Sequence, residues 1–255
     1  DVSSVAGGKA FLIAHTDIGT AAKPLYTTIG VIQSISTAGS TYVSNQGALE
    51  VDVIGDSGIG QSSGGNIEVT ASSPITVSAD VHADGDIIYS AEGTATPDYD
   101  NIRIMDGISV TADGSITFDA GDHIYIDADA VVTAGTSLTA TAANDIMIDD
   151  GAAITATGEI KFYVGDDFTL GEDAIISTDG NVIFFADWND LDPGIGSTIT
   201  VYGTIYAANL YIYGAGDEDQ IHNYGTINLS NVVNIYGDES DDQINLTSNI
   251  TAKEI

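Results

Sequence analysis

SITFDAGDHIYIDADAVVTAGT, residues 115–136, is followed without a gap by SLTATAANDIMIDDGAAITATG, residues 137–158, and EIKFYVGDDFTLGEDAIISTDG, residues 159–180. The three segments are equal in length and align position for position, with Ser115, Ser137 and Glu159 as their first members. Apolar residues recur in fixed columns: Ile116, Leu138, Ile160; Phe118, Ala140, Phe162; Ile124, Ile146, Phe168; Ile126, Ile148, Leu170; Val132, Ile154, Ile176. A spacing of two within each cluster is strand alternation, because successive side chains of a strand point to opposite faces. Three clusters per unit mean three short strands per coil. A lone unit cannot bury its apolar face, and stacking identical units can.

The pattern extends outward from this block. Residues 181–203 read as the next unit, one residue longer, and 204–225 return to the common length. Residues 86–114 read as one such unit carrying extra residues around 92–100, expected to leave the stack as a loop. The chain is therefore expected to be all-β, a parallel β-solenoid or β-helix with about 22 residues and three short strands per coil. It reads as one continuous segment over 1–255, cut from a longer chain: less regular coils over 1–63, regular coils over 64–203, and Tyr-rich acidic coils over 204–255. An antiparallel sandwich or barrel also has short strands at regular spacing, but it does not predict near-identical columns at a fixed period. Phe118, Ile124, Ile126, Phe162, Phe168 and Leu170 are expected to point inward.

Composition fits this reading and narrows function. Acidic residues number 38 against five basic ones, a formal charge of −33, and 30 of the acids are Asp. Phosphate recognition needs a basic footprint, so nucleic acid is excluded as a partner and anionic membranes are disfavoured. No run of eighteen apolar residues exists, so no membrane insertion is expected. Without cysteine there is no disulfide framework or thiolate chemistry. Self-repulsion of this size is best tolerated in a salty or calcium-rich exterior.

Two motifs carry resemblances. The unit D-[I/F]-x-[I/L]-x-x-[G/D]-A-x-[I/V]-x-[T/S]-x-G at 145–158 and 167–180, and the stretch AHTDIGTAAKPLYTTIGVIQSISTAGSTYVSNQGALEV at 14–51, resemble repeats of filamentous-haemagglutinin-like exoproteins and giant repetitive bacterial adhesins. That resemblance implies a right-handed parallel β-helix, secretion or display on a bacterial cell surface, and work in attachment or as a spacer. LYIYGAGDEDQIHNYGTI at 210–227 and VNIYGDESDDQINLTSNI at 233–250 repeat each other and resemble the calcium-binding nonapeptides of RTX proteins. The repeated G-G-x-G-x-D of that family is here reduced to Gly214, Gly216, Asp217 and to Gly237, Asp238.

Calcium takes several hard oxygen ligands. Asp217, Asp219, Asp238, Asp241 and Asp242 offer them in two turns about one coil apart, and make Ca²⁺ the one cofactor implied; the other reading is a pair of solvated acidic turns. His15, His82, His123 and His222 fall in different units, with no zinc or triad signature, so no enzyme is expected. Six of the twelve tyrosines lie between residues 202 and 236, with Trp188 just before them. Aromatics exposed on a flat face would stack on sugars; alternate burial, with half of them in the core, is the reading adopted. Thr133, Thr155 and Ser177 form a hydroxyl column, which strand propensity explains, and the sequons at Asn228, Asn245 and Asn249 are expected by chance. The expected function is a non-catalytic extracellular structural or adhesive rod. Its partners would be a host or environmental glycan or surface protein, with lateral self-association; the alternative is a β-helix that binds or cleaves carbohydrate.

Overall fold

The computed structural model describes residues 4–55, 58–93, 99–188, 196–214, 216–237, 241–247 and 250–252. Among these residues there is no α-helix, and the strands pair in parallel. A first ladder holds eleven strands, from Ser4–Ala6 through Ile116–Ala120, Leu138–Ala142 and Ile160–Val164 to Val233–Tyr236. The other 20 strands run as two ladders side by side. The second ladder passes from Leu49–Val51 to Gln243–Leu246, and the third from Gln61–Ser63 to Ile250–Thr251. Both grow from Val31–Ser36, a six-residue strand whose start pairs with Glu50 and Val51 and whose end pairs with Gln61–Ser63. The chain revisits each ladder once per turn, so the fold is a parallel β-solenoid of about ten turns. Ile116, Leu138 and Ile160, partners in successive strands of the first ladder, mark the spacing of its regular coils.

The columns expected from the sequence are the observed register. Phe118 faces Ala140 and Ala140 faces Phe162; Ile124, Ile146 and Phe168 follow one another, as do Val132, Ile154 and Ile176. Alternate residues of each strand are buried, and Phe118, Ile124, Ile126, Phe162, Phe168 and Leu170 are all within 1% of complete burial. Ala140, small, sits between two phenylalanines of its column, which lets the rings fill the space on either side. Phe162, Phe168 and Phe184 then meet at centroid distances of 4.6 to 5.1 Å. Each such buried side chain contributes about 1.5–3 kcal/mol relative to exposure.

The turn between the second and third ladders shows why Asp and Gly alternate there. Ile108, Ala130, Ala152 and Ala174 donate their N–H groups to Met105, Asp127, Asp149 and Gly171, each closing a four-residue turn. The third residue of each turn, Gly107, Asp129, Gly151 or Asp173, has φ of 57 to 75°. A positive φ at that position selects Gly, or Asp with its short polar side chain.

Two expectations about the coil frame are corrected. Ile87 pairs with Ile116 while Ile102 pairs with Ile124, so the extra residues of the 86–114 unit do lie between Ala91 and Ile102. Residues 94–98 fall outside the described set, but Asp100 does not protrude: it is 3% exposed and its carboxylate accepts the Gly93 N–H. It holds the place that Asp122 holds one coil later, as a turn residue that caps backbone. The second correction is a missed insertion in the sequence repeat. Phe168 pairs with Ile199 and Ile176 with Ile205, so 181–203 is not a single coil. The step from Val182 to its partner Leu210 is longer than the step from Ile160 to Val182, with the extra length between Phe185 and Thr198. Gly203 separates the second-ladder strand Thr198–Val201 from the third-ladder strand Thr204–Ala207, and the sequence frame took that turn for a coil boundary.

Candidate functional site

Carboxylates dominate the turn between the first and second ladders, and they work on the backbone. Asn101 Oδ1 accepts the N–H of His123, His123 Nδ1 that of Asp145, Asp145 Oδ1 that of Asp167, and Asp167 Oδ1 that of Thr198, at 3.0 to 3.2 Å. Each side chain thus caps the next coil at a corner where the ladder geometry breaks, and an uncapped buried N–H there is costly. His123 completes this corner with Nε2 3.0 Å from Asp122 Oδ1 and Nδ1 3.2 Å from Asp145 Oδ2. The other histidines pair separately, His15 with Thr37, His82 with Asp84 and His222 with Gln220.

The five residues read from the sequence as calcium ligands are placed as follows. The two acidic repeats stack on each other, Gln220 on Gln243 and Leu210 on Val233. Asp219 is buried and its Oδ1 accepts both the N–H and the hydroxyl of Ser197, at 2.8 and 3.1 Å. Asp242 Oδ1 accepts the Asp219 N–H at 3.2 Å. Asp217 is half-buried, Asp241 is exposed, and Asp238 lies outside the described residues. Among the described residues no three His, Asp or Glu side chains converge as a metal-binding group.

The tyrosines overturn the expectation of alternate burial. Leu210 and Ile212 take the inward positions of their strand, so Tyr211 and Tyr213 both face out. Tyr202, Tyr206, Tyr224 and Tyr236 are each 45 to 49% exposed, and none of the six belongs to the core. Outside the first ladder, Tyr163, Phe185, Tyr213 and Tyr236 stand in one column, with centroids 4.6, 5.2 and 5.0 Å apart and planes within 13°. Trp188 meets Tyr163 edge-on at 4.6 Å. Rings stacked in this way cover one another's faces, so the column is a clamp between coils, worth about 0.5–1.5 kcal/mol per pair, and not a sugar platform. Tyr163 and Phe185 were missed in the sequence; their signal was parity, since each lies one residue away from a buried column.

The outer face of the third ladder differs in kind. Its strands Ser109–Ala112, Val131–Ala134, Ala153–Ala156, Ile175–Thr178, Thr204–Ala207 and Thr226–Leu229 contain no Asp, Glu, Lys or Arg. The hydroxyl column noted in the sequence begins one coil earlier, at Thr111, and runs through Thr133, Thr155 and Ser177 to Tyr206 and Asn228. Val131 and Ile175 stand beside it, 39 and 40% exposed. Near its carboxy-terminal end a groove of about 440 Å³ is lined by Ser177, Asp179, Tyr206, Asn228, Ser230 and Thr251. Acids rim the face in the flanking turns, Asp127, Asp149, Glu172 and Asp173 on one side and Asp113 and Asp179 on the other. Arg103 donates from Nε to both oxygens of Asp127, at 3.0 and 2.8 Å, which raises its own pKa; burial raises that of Asp149. No protein-family model, curated protein or solved structure matches this chain.

Proposed function

We propose that the chain is a non-catalytic adhesive segment of a secreted or surface-displayed bacterial protein, a right-handed β-helix with three short strands per coil that presents flat faces to a glycan or surface protein. The observation that carries this reading is the division of labour among polar groups: carboxylates in the turns cap neighbouring coils, while the outer face of the third ladder from Ser109 to Leu229 lies open with no charged residue in its strands. Beads coated with the protein should remain on a polysaccharide-coated or cell-coated surface under flow, and should release no reducing sugar from it. Beads that wash off like bare ones would remove the adhesive role, and released sugar would restore the carbohydrate-cleaving alternative.

Calcium at the carboxy-terminal acidic turns belongs to the same proposal. Coils spaced by about 4.8 Å bring like charges together, and a cation held by Asp217, Asp219, Asp238, Asp241 and Asp242 would relieve the repulsion. Millimolar calcium should then raise the Tm beyond ionic-strength-matched NaCl, through mass action on the folded state. The excess should vanish in Asp217→Asn/Asp241→Asn. Equal responses to the two salts would leave screening alone.

A further inference from the structure

We infer that the groove around Tyr206, on the uncharged outer face of the third ladder, is a docking site for a neutral polysaccharide, an uncharged hexose chain lying along the face. The inference deepens the adhesive reading above and rests on it. Tyr206 is 45% exposed, and its neighbours within the column are Ser177 on one side and Asn228 on the other. In this it differs from Tyr213 and Tyr236, which cover each other, and from the stacked pair Tyr202 and Tyr224. Its aromatic faces are flanked by a hydroxyl and an amide. An aromatic plane takes the C–H face of a sugar, and the Ser177, Asn228, Ser230 and Thr251 side chains beside it donate to and accept from sugar hydroxyls. Asp179, the one acid lining the groove, accepts from a hydroxyl as well.

Charge selects the class of ligand. The chain carries −33 and acids rim this face on both sides, so a polyuronate or sulfated chain is repelled, whereas an uncharged chain meets no such repulsion. Beyond the groove, Thr155, Thr133 and Thr111 repeat a hydroxyl at each coil, about 4.8 Å apart, a regular surface for a regular polymer. A second copy of the chain fits less well. Six strands of four residues at that spacing cover on the order of 400 Å² per partner, about half of what a stable protein interface buries.

The test is affinity electrophoresis of the full chain through gels containing a neutral β-glucan, a neutral mannan or alginate, with the same variants on the bead assay. A neutral polymer should retard the wild type and alginate should not. Tyr206→Ala should weaken the retardation about ten-fold, as loss of a central aromatic contact does. Tyr206→Phe, which keeps the ring, should retain most of it, and Tyr236→Ala should behave as wild type. Retardation unchanged in Tyr206→Ala, with circular dichroism also unchanged, would overturn the groove while leaving adhesion intact. Retardation by alginate in place of the neutral polymers would overturn the ligand class. If wild-type beads adhere and no glycan retards the protein, the glycan inference falls and the surface-protein partner stands.

Discussion

The amino-terminal coils and the middle coils fill the same interior by different means. Between residues 115 and 180 the inward columns are Ile, Leu, Val, Phe and Ala, with Thr178 at the end of an alanine column as the one polar member of these strands. Between residues 27 and 63 the inward positions include Thr27, Ser34, Ser36, Thr41, Asn45, Gln61 and Ser63, all within 4% of complete burial. Apart from Thr41, these side chains bond to one another and to the backbone. Asn45 Oδ1 accepts from the Thr27 hydroxyl at 2.8 Å and from the Ile29 N–H at 3.0 Å, while its Nδ2 donates to the carbonyls of Ile29, Gly47 and Ala48. Gln33 accepts from Ile54 and Gly55 and donates to Ile59, holding an outer loop against its strand. Tyr89 sits at the join: its ring stacks on Phe118 and its hydroxyl donates to Gln61 at 2.6 Å, and burial pushes its phenol pKa up. Apolar columns tolerate small slips of packing, whereas a directional network fixes one register and fails if any member is lost.

The largest effect should come from the middle. Phe162→Ala removes a ring in contact with Phe168 and Phe184, and cavity formation there should cost about 3–5 kcal/mol in urea unfolding. Phe162→Leu should recover part of it, because the loss is one of volume. Asn45→Ala should cost about 1–3 kcal/mol by leaving buried backbone groups without partners. Here Asn45→Leu should do no better than Ala, because apolar volume cannot accept the Ile29 N–H. Should Leu rescue both sites equally, the two halves would be stabilised alike and the contrast between them would be lost.

How much of this could be read from the sequence depended on which physical signal a residue carried. The repeating columns were legible to the single residue, since burial of alternate side chains leaves an apolar trace. The polar interior was not, because Asn45 or Gln61 in a one-letter string looks the same whether solvated or buried. Tyr211 and Tyr213 misled because large aromatics suggest a core, although Leu210 and Ile212 had already taken the inward parity. Asp100 reads as part of a protruding loop, for the corner column it occupies is defined by hydrogen bonds and not by hydropathy. The positive-φ turn was written plainly in the Asp/Gly alternation at 107, 129, 151 and 173. It yields the next prediction: Asp129→Gly should leave the stability nearly unchanged, while Asp129→Val should cost about 1–2 kcal/mol, the strain of a branched L-residue in the left-handed region. Equal behaviour of the two variants in thermal unfolding would show that the turn relaxes out of that conformation.

The smallest effect is one of pH, and it lies where the insertion meets the regular coils. Asp119 is half-buried on the outer face of the first ladder; burial first, then a hydrogen bond with Glu92, raises its pKa from 3.8 to about 6. The folded chain therefore holds a proton here that the unfolded chain has released. The stability that this proton supports is complete below about pH 4 and is lost as the pH rises through 6, opposite in sign to a salt-bridged carboxylate. Asp119→Asn imitates the protonated side chain at every pH. It should match the wild type at pH 4 and exceed it at pH 7, by no more than about 1 kcal/mol, since water screens a half-exposed pair. The other acids titrate in both proteins, so the difference between the two Tm curves isolates this site. Glu92→Gln should narrow that difference by removing the charge that opposes ionisation of Asp119. Curves that run parallel from pH 4 to 7 would show that Asp119 and Glu92 do not share a proton, and that the insertion joins the first ladder without an electrostatic cost.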